Sequence, residues 1–107
     1  MQSKNQTISI PLLKEKQVTI VLKREDLLHP YISGNKYRKL KYNLEEAQNE
    51  KFKTLLTFGG AFSNHIAATA FAAKEKELHS IGIIRGNELM DTWQENATLR
   101  KAKENGM

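Results

Sequence analysis

The sequence predicts an α/β fold, with an open, mostly parallel sheet flanked by helices and an N-terminal β-hairpin ahead of it. Three observations carry this expectation. Short apolar runs alternate with helical stretches of roughly 12 to 17 residues, long enough to serve as crossovers between parallel strands. The later runs have little polar alternation, as in strands covered on both faces. The first two runs lie close together with no helical stretch predicted between them, which suits an antiparallel pair.

Thr7 to Leu13 and Gln17 to Arg24 read as that first pair. In the second, Val18, Ile20 and Leu22 alternate with Thr19, Val21 and Lys23, so at least one face is expected to be buried. Pro11 places the first strand at an edge. Leu27 to Gly34 is a loop containing His29-Pro30. A helix is expected from Asn35, as N-cap, to about Lys51, with Tyr37, Leu40, Leu44 and Ala47 on one face. Lys53 to Phe58 is a strand, Gly59 to Phe62 a permissive turn, and Ser63 or Asn64 the cap of a helix running to about Lys76. Ile66, Ala67, Ala70, Phe71 and Ala73 are expected to face inward from it. His79 to Ile84 is the next strand, and Asp91-Thr92 caps a last helix that ends near Asn105-Gly106. The chain thus divides into N-terminal strands and loop (1–34) and an αβαβα unit (35–107).

Composition narrows the chemistry. There is no cysteine, which removes disulfides and thiolate nucleophiles. The three histidines show no metal-ligand spacing, so no metal site is expected. No apolar run approaches the roughly 18 residues that span a bilayer, and no signal-peptide pattern opens the chain, so a cytoplasmic location without a membrane partner is expected. The net charge of +5 comes from lysines scattered along the whole chain rather than gathered in a patch, which argues against a nucleic-acid partner.

Two stretches could carry chemistry. Lys36, Arg38 and Lys39 crowd a helix N-terminus, where cations oppose the helix dipole unless something anionic lies there. A lysine amine becomes a nucleophile when desolvated or set beside other cations, yet Lys36 is also simply one of 13 lysines. Gly59-Gly60-Ala61-Phe62-Ser63-Asn64-His65 runs from strand end to helix start, where α/β sheets bind ligands and free N–H groups attract anions. A tight turn with a capping serine explains the same residues. The spacing matches neither a P-loop nor a dinucleotide fingerprint.

Taken together, Ser33-Gly34-Asn35-Lys36-Tyr37-Arg38-Lys39-Leu40, the Gly59–His65 stretch and Lys23-Arg24-Glu25-Asp26-Leu27 resemble the D-cysteine desulfhydrase and 1-aminocyclopropane-1-carboxylate (ACC) deaminase family. These are pyridoxal 5'-phosphate (PLP) enzymes of the tryptophan-synthase-β-like fold. The resemblance implies that Lys36 holds PLP covalently and that Asn64 hydrogen-bonds the phenolic oxygen of its ring. Ser63, Asn64 and His65 would bind the carboxylate of a small amino-acid substrate, Ser63 also acting close to the reacting carbon, and Lys39 would reach the phosphate. It implies β-elimination of sulfide from D-cysteine, toward which His65 leans, or ring opening of ACC. Dimers are common among such enzymes, which makes a homodimer a candidate assembly. Phe62 replaces a common glutamine and Ala67 a frequent arginine, departures that bear on substrate contacts. Family members are longer, with a Gly/Thr-rich phosphate cup and an active-site tyrosine further along. The chain is therefore expected to be an N-terminal portion that binds PLP weakly and does not turn over by itself. The alternative is a non-catalytic α/β module binding an anionic ligand or nucleic acid through the basic helix start.

Overall fold

The computed structural model describes residues 2–32 and 34–107; Met1 and Ser33, the first residue of the basic motif, lie outside the described residues. The order is β1 (Lys4–Ile8), α1 (Pro11–Glu15), β2 (Ile20–Arg24), α2 (Asn35–Asn49), β3 (Thr54–Gly59), α3 (Asn64–Glu75), β4 (His79–Ile84) and α4 (Ala97–Glu104). β1 pairs antiparallel with β2, and β3 pairs parallel with β4 in register from Thr54–His79 to Gly59–Ile84. The α/β class, the N-terminal hairpin and the parallel pair joined through a helix agree with expectation.

The hairpin differs in detail. The first strand ends at Ile8 instead of extending to Leu13, and Pro11 opens a five-residue helix. Proline is suited to a first helical position, where its missing N–H would be unpaired anyway. Gln17 ends α1 in a left-handed conformation at φ 54°, so β2 starts at Ile20. The buried face expected of the second strand is not there: Ile20, Val21 and Leu22 are all exposed, because among the described residues no layer packs on the ribbon.

α3 is the centre of the remaining unit, packing on β3, β4, α2 and α4. One cluster joins Ile32, Leu40, Leu44, Ala68 and Ala72; a second joins Ala61, Ile66, Ala70, Leu99 and Ala102. Alanines on α3 let its neighbours approach closely. Ala67 and Phe71, expected to face inward, are only half-buried. β3 and β4 are covered on one face, not two. α2 and α4 pack beside α3 on that same side, leaving Leu56, Phe58, Ile81 and Ile83 exposed on the other.

Helix ends are governed by local geometry. Gly34, not Asn35, is the N-cap of α2, at φ 63°, ψ −143°. α4 starts after two 3-10 turns and is capped by Asn96, not by Asp91-Thr92; its side chain accepts from the N–H groups of Thr98 and Leu99, both at 3.0 Å. α4 ends in a Schellman motif: Gly106 N–H donates to Lys103 and Met107 N–H to Ala102, as the Asn-Gly pair predicts. α2 and α3 end the same way without glycine, at Lys51 (φ 60°) and Glu77 (φ 56°).

Candidate active site

The N-terminal ends of α2 and α3 contribute to one cleft of about 380 Å³, lined by Lys36, Asn64, Tyr31, Ala67, Phe71 and Lys101 among others. Lys36 is half-buried in the first turn of α2 and Asn64 is the first residue of α3. The Tyr31 ring stacks on Phe71 with centroids 4.4 Å apart, and Lys101 Nζ lies 5.9 Å from the Tyr31 centroid. Of the residues singled out in the sequence, the structure therefore brings Lys36 and Asn64 together.

The turn between β3 and α3 is held tightly on one side and open on the other. A Cβ at Gly59 would lie 2.6 Å from Ile66 Cγ1 and 3.1 Å from Ser63 Oγ, whereas one at Gly60 would meet nothing within 4 Å. The Ser63 hydroxyl accepts from Ile66 N–H at 3.4 Å, so Ser63 is the N-cap. The backbone N–H groups of Asn64 and His65 have no partner among the described residues and remain available as donors.

His65 points elsewhere. Its Nε2 lies 2.8 Å from Thr57 Oγ1 and 3.5 Å from Thr69 Oγ1, lining a second cavity of about 420 Å³ beneath α2. Burial, then the charges of Lys36 and Lys39, push its pKa below the ordinary histidine value, which favours the neutral ring at neutral pH. Lys39 itself is exposed and lies outside both cavities, although its charge reaches His65.

The crowded cations are partly resolved within the chain. Arg38 makes a forked pair with Glu25, Nε–Oε2 2.7 Å and Nη2–Oε1 3.1 Å, and Ser3 Oγ donates to the same carboxylate at 2.6 Å. Hydrogen bonds from Arg38 and then Ser3 hold the Glu25 pKa at about 2. Among the described residues neither Lys36 nor Lys39 pairs with a carboxylate, leaving two cations at an already positive helix end.

Sequence reasoning missed Glu25, Tyr31, Phe71 and Lys101. Tyr31, Phe71 and Lys101 come from distant parts of the chain and meet only through packing; Glu25 had a signal in its charged run, but nothing in that run named Arg38 as its partner. Among the described residues no cluster of three or more potential ligands could hold a metal ion, and no helix is long and apolar enough to cross a membrane.

No model of a known protein family matches the chain. Individual relatives do. A protein named putative ACC deaminase from Pyrococcus abyssi is 40% identical over 77 residues, 72% of this chain and 23% of the relative. The mitochondrial bifunctional D-cysteine desulfhydrase/ACC deaminase of Arabidopsis thaliana is 41% identical over 69 residues, 64% of this chain and 17% of that protein. D-cysteine desulfhydrase of Serratia proteamaculans is 35% identical over 77 residues, again 72% of this chain and 23% of the relative. A crystal structure of an ACC deaminase homologue superimposes with a TM-score of 0.72 at 34% identity, covering 82% of this chain and 27% of the other. The chain thus spans less than a quarter of the length of these three curated relatives. Over the stretch that it covers, in sequence and in fold, the chain belongs to the D-cysteine desulfhydrase and ACC deaminase family.

Proposed function

We propose that the chain supplies the lysine and carboxylate-binding side of a PLP-dependent enzyme acting on a small amino acid. The observation that carries this is the shared cleft of Lys36 and Asn64, with Lys36 in it and Lys39 one turn along α2 both without a carboxylate partner among the described residues. These residues fit the group. The cleft offers a half-buried amine to join an aldehyde, an amide to meet a ring oxygen, and aromatic walls beside a planar ring.

When bound, PLP supplies an electron sink for the bond broken at the substrate's α-carbon. Lys36 would hold it covalently, Asn64 would hydrogen-bond its ring, and Lys39 would add positive charge toward its phosphate. The substrate carboxylate would lie at the N-terminus of α3. There the N–H groups of Asn64 and His65 have no partner among the described residues, and the helix dipole favours an anion. Ser63 stands at the same turn, its hydroxyl beside Gly59. The His65 side chain is committed to Thr57, so it contributes to that end through its backbone N–H and through a ring held in place.

The first candidate reaction is β-elimination from D-cysteine, yielding pyruvate, sulfide and ammonia; the second is ring opening of ACC to 2-oxobutanoate and ammonia. Homodimeric assembly and a cytoplasmic location belong to the same proposal. The test is to incubate the protein with PLP, reduce with borohydride and map the modified peptide. The peptide containing Lys36 should be modified ahead of exposed lysines such as Lys14, and Lys36→Ala should abolish that product. Modification spread evenly over the lysines would sink the proposal. Measured on a protein that carries this stretch together with the rest of the cofactor pocket, release of sulfide from D-cysteine, against 2-oxobutanoate from ACC, separates the two reactions.

A further inference from the structure

We propose that His29 is a positioning residue for the Lys36 cleft, acting as the acceptor that shapes the turn leading into α2. This rests on the functional reading above. His29 Nδ1 accepts from the backbone N–H groups of Tyr31 at 3.1 Å and Ile32 at 3.0 Å. That is the geometry of an aspartate or asparagine turn, with an imidazole nitrogen in place of the side-chain oxygen. A nitrogen that accepts carries no proton, so the neutral ring bears its hydrogen on Nε2, which lies 3.2 Å from Glu75 Oε1 at the end of α3. The ring also stacks on Tyr37 of α2 (centroids 6.2 Å, 25°) and meets the Phe71 edge (5.7 Å, 62°).

One side chain therefore ties the turn to both helices that form the cleft. Its two acceptances have consequences on either side. Ile32, only 4% exposed, is fixed in the cluster with Leu40 and Leu44. Tyr31 is held where its ring stacks on Phe71 and walls the cleft that contains Lys36. Without the acceptor, the Tyr31 and Ile32 N–H groups lose the partner they have in this structure; the Tyr31 bond lies at the surface and the Ile32 bond is part-buried, so the cost of an unpaired N–H falls mainly on Ile32. The turn would rearrange, and Tyr31 and the start of α2 would rearrange with it.

The test compares the wild type with His29→Ala and His29→Asn, the latter restoring an acceptor oxygen for the same two N–H groups. Two quantities are read: borohydride-trapped PLP on Lys36 relative to exposed Lys14, and hydrogen exchange at the Tyr31 and Ile32 amides. His29→Ala should lower the Lys36 to Lys14 ratio on the order of ten-fold and speed exchange at both amides. His29→Asn should return both toward wild type. An unchanged ratio in His29→Ala, or an equal fall in both variants, overturns the proposal. If wild-type Lys36 traps PLP no faster than Lys14, the functional reading fails, and exchange alone then judges His29. Faster exchange confined to His29→Ala supports the acceptor role, and unchanged exchange overturns it.

Discussion

Gly59 and Gly60 are adjacent, yet their replacement by alanine should have opposite effects. Neither has a positive φ, so backbone strain does not distinguish them. At Gly59 the new Cβ would stand 2.6 Å from Ile66 Cγ1 and 2.9 Å from Cδ1. Ile66 is fully buried in the first turns of α3, and a β-branched side chain in a helix has essentially one χ1 rotamer, so it cannot step aside. Overpacking of this kind costs about 1–3 kcal/mol. At Gly60 the Cβ meets nothing within 4 Å, and the alanine restricts the unfolded chain, a gain of about 0.4–1 kcal/mol. Urea denaturation measures the difference: with a slope near 2 kcal/mol/M, a loss of about 2 kcal/mol lowers the midpoint by about 1 M. Gly59→Ala should unfold at lower urea than wild type and Gly60→Ala at equal or higher urea. Equal midpoints for the two variants, or a lower one for Gly60→Ala, would refute the packing argument.

Other outcomes follow from the same structure. The Glu25 pKa is lowered from 4.5 to about 2, so its contribution is intact above pH 4.5 and is lost as pH falls toward 2. Urea midpoints should drop more steeply for wild type than for Glu25→Gln across that window, and parallel curves would remove the Arg38 pair from the account. Lys51→Gly and Glu77→Gly should each raise stability by about 1 kcal/mol in thermal unfolding, because only glycine occupies the left-handed C′ position without Cβ strain. Lys36→Met should raise the His65 pKa in an NMR titration, since Lys36 is the largest charge acting on it after burial; an unmoved titration would show the two groups to be independent.

The fold was largely legible where residue chemistry and local geometry coincide. β4 was read to its last residue because its apolar run stops at the turn-forming Arg85-Gly86-Asn87. The inward face of α2 followed from the three- and four-residue spacing of Tyr37, Leu40, Leu44 and Ala47. Boundaries failed where the backbone chose between equivalent local options. Pro11 fits a strand edge or a helix start, and only the pairing of β1 with β2 decided between them. Lys51 and Glu77 carry no sign of the left-handed conformation that they adopt, so two Schellman endings were invisible. β3 and β4 have the apolar composition of strands covered twice, but the helices of this chain cover one face.

Residue types and spacing left the basic start of α2 and the Ser63–His65 turn as open candidates for holding an anion; the family resemblance is what singled out Lys36. Composition had already removed thiol chemistry. Tertiary structure decided which of those residues share a space. Parallel pairing of β3 with β4 and the packing of α2 on α3 bring Lys36 and Asn64 into one cleft, turn His65 toward Thr57, and set Glu25 against Arg38. It also surrounds the cleft with Tyr31, Phe71 and Lys101. None of these meetings is encoded in a local motif, because contacts between residues far apart in sequence depend on how whole elements pack.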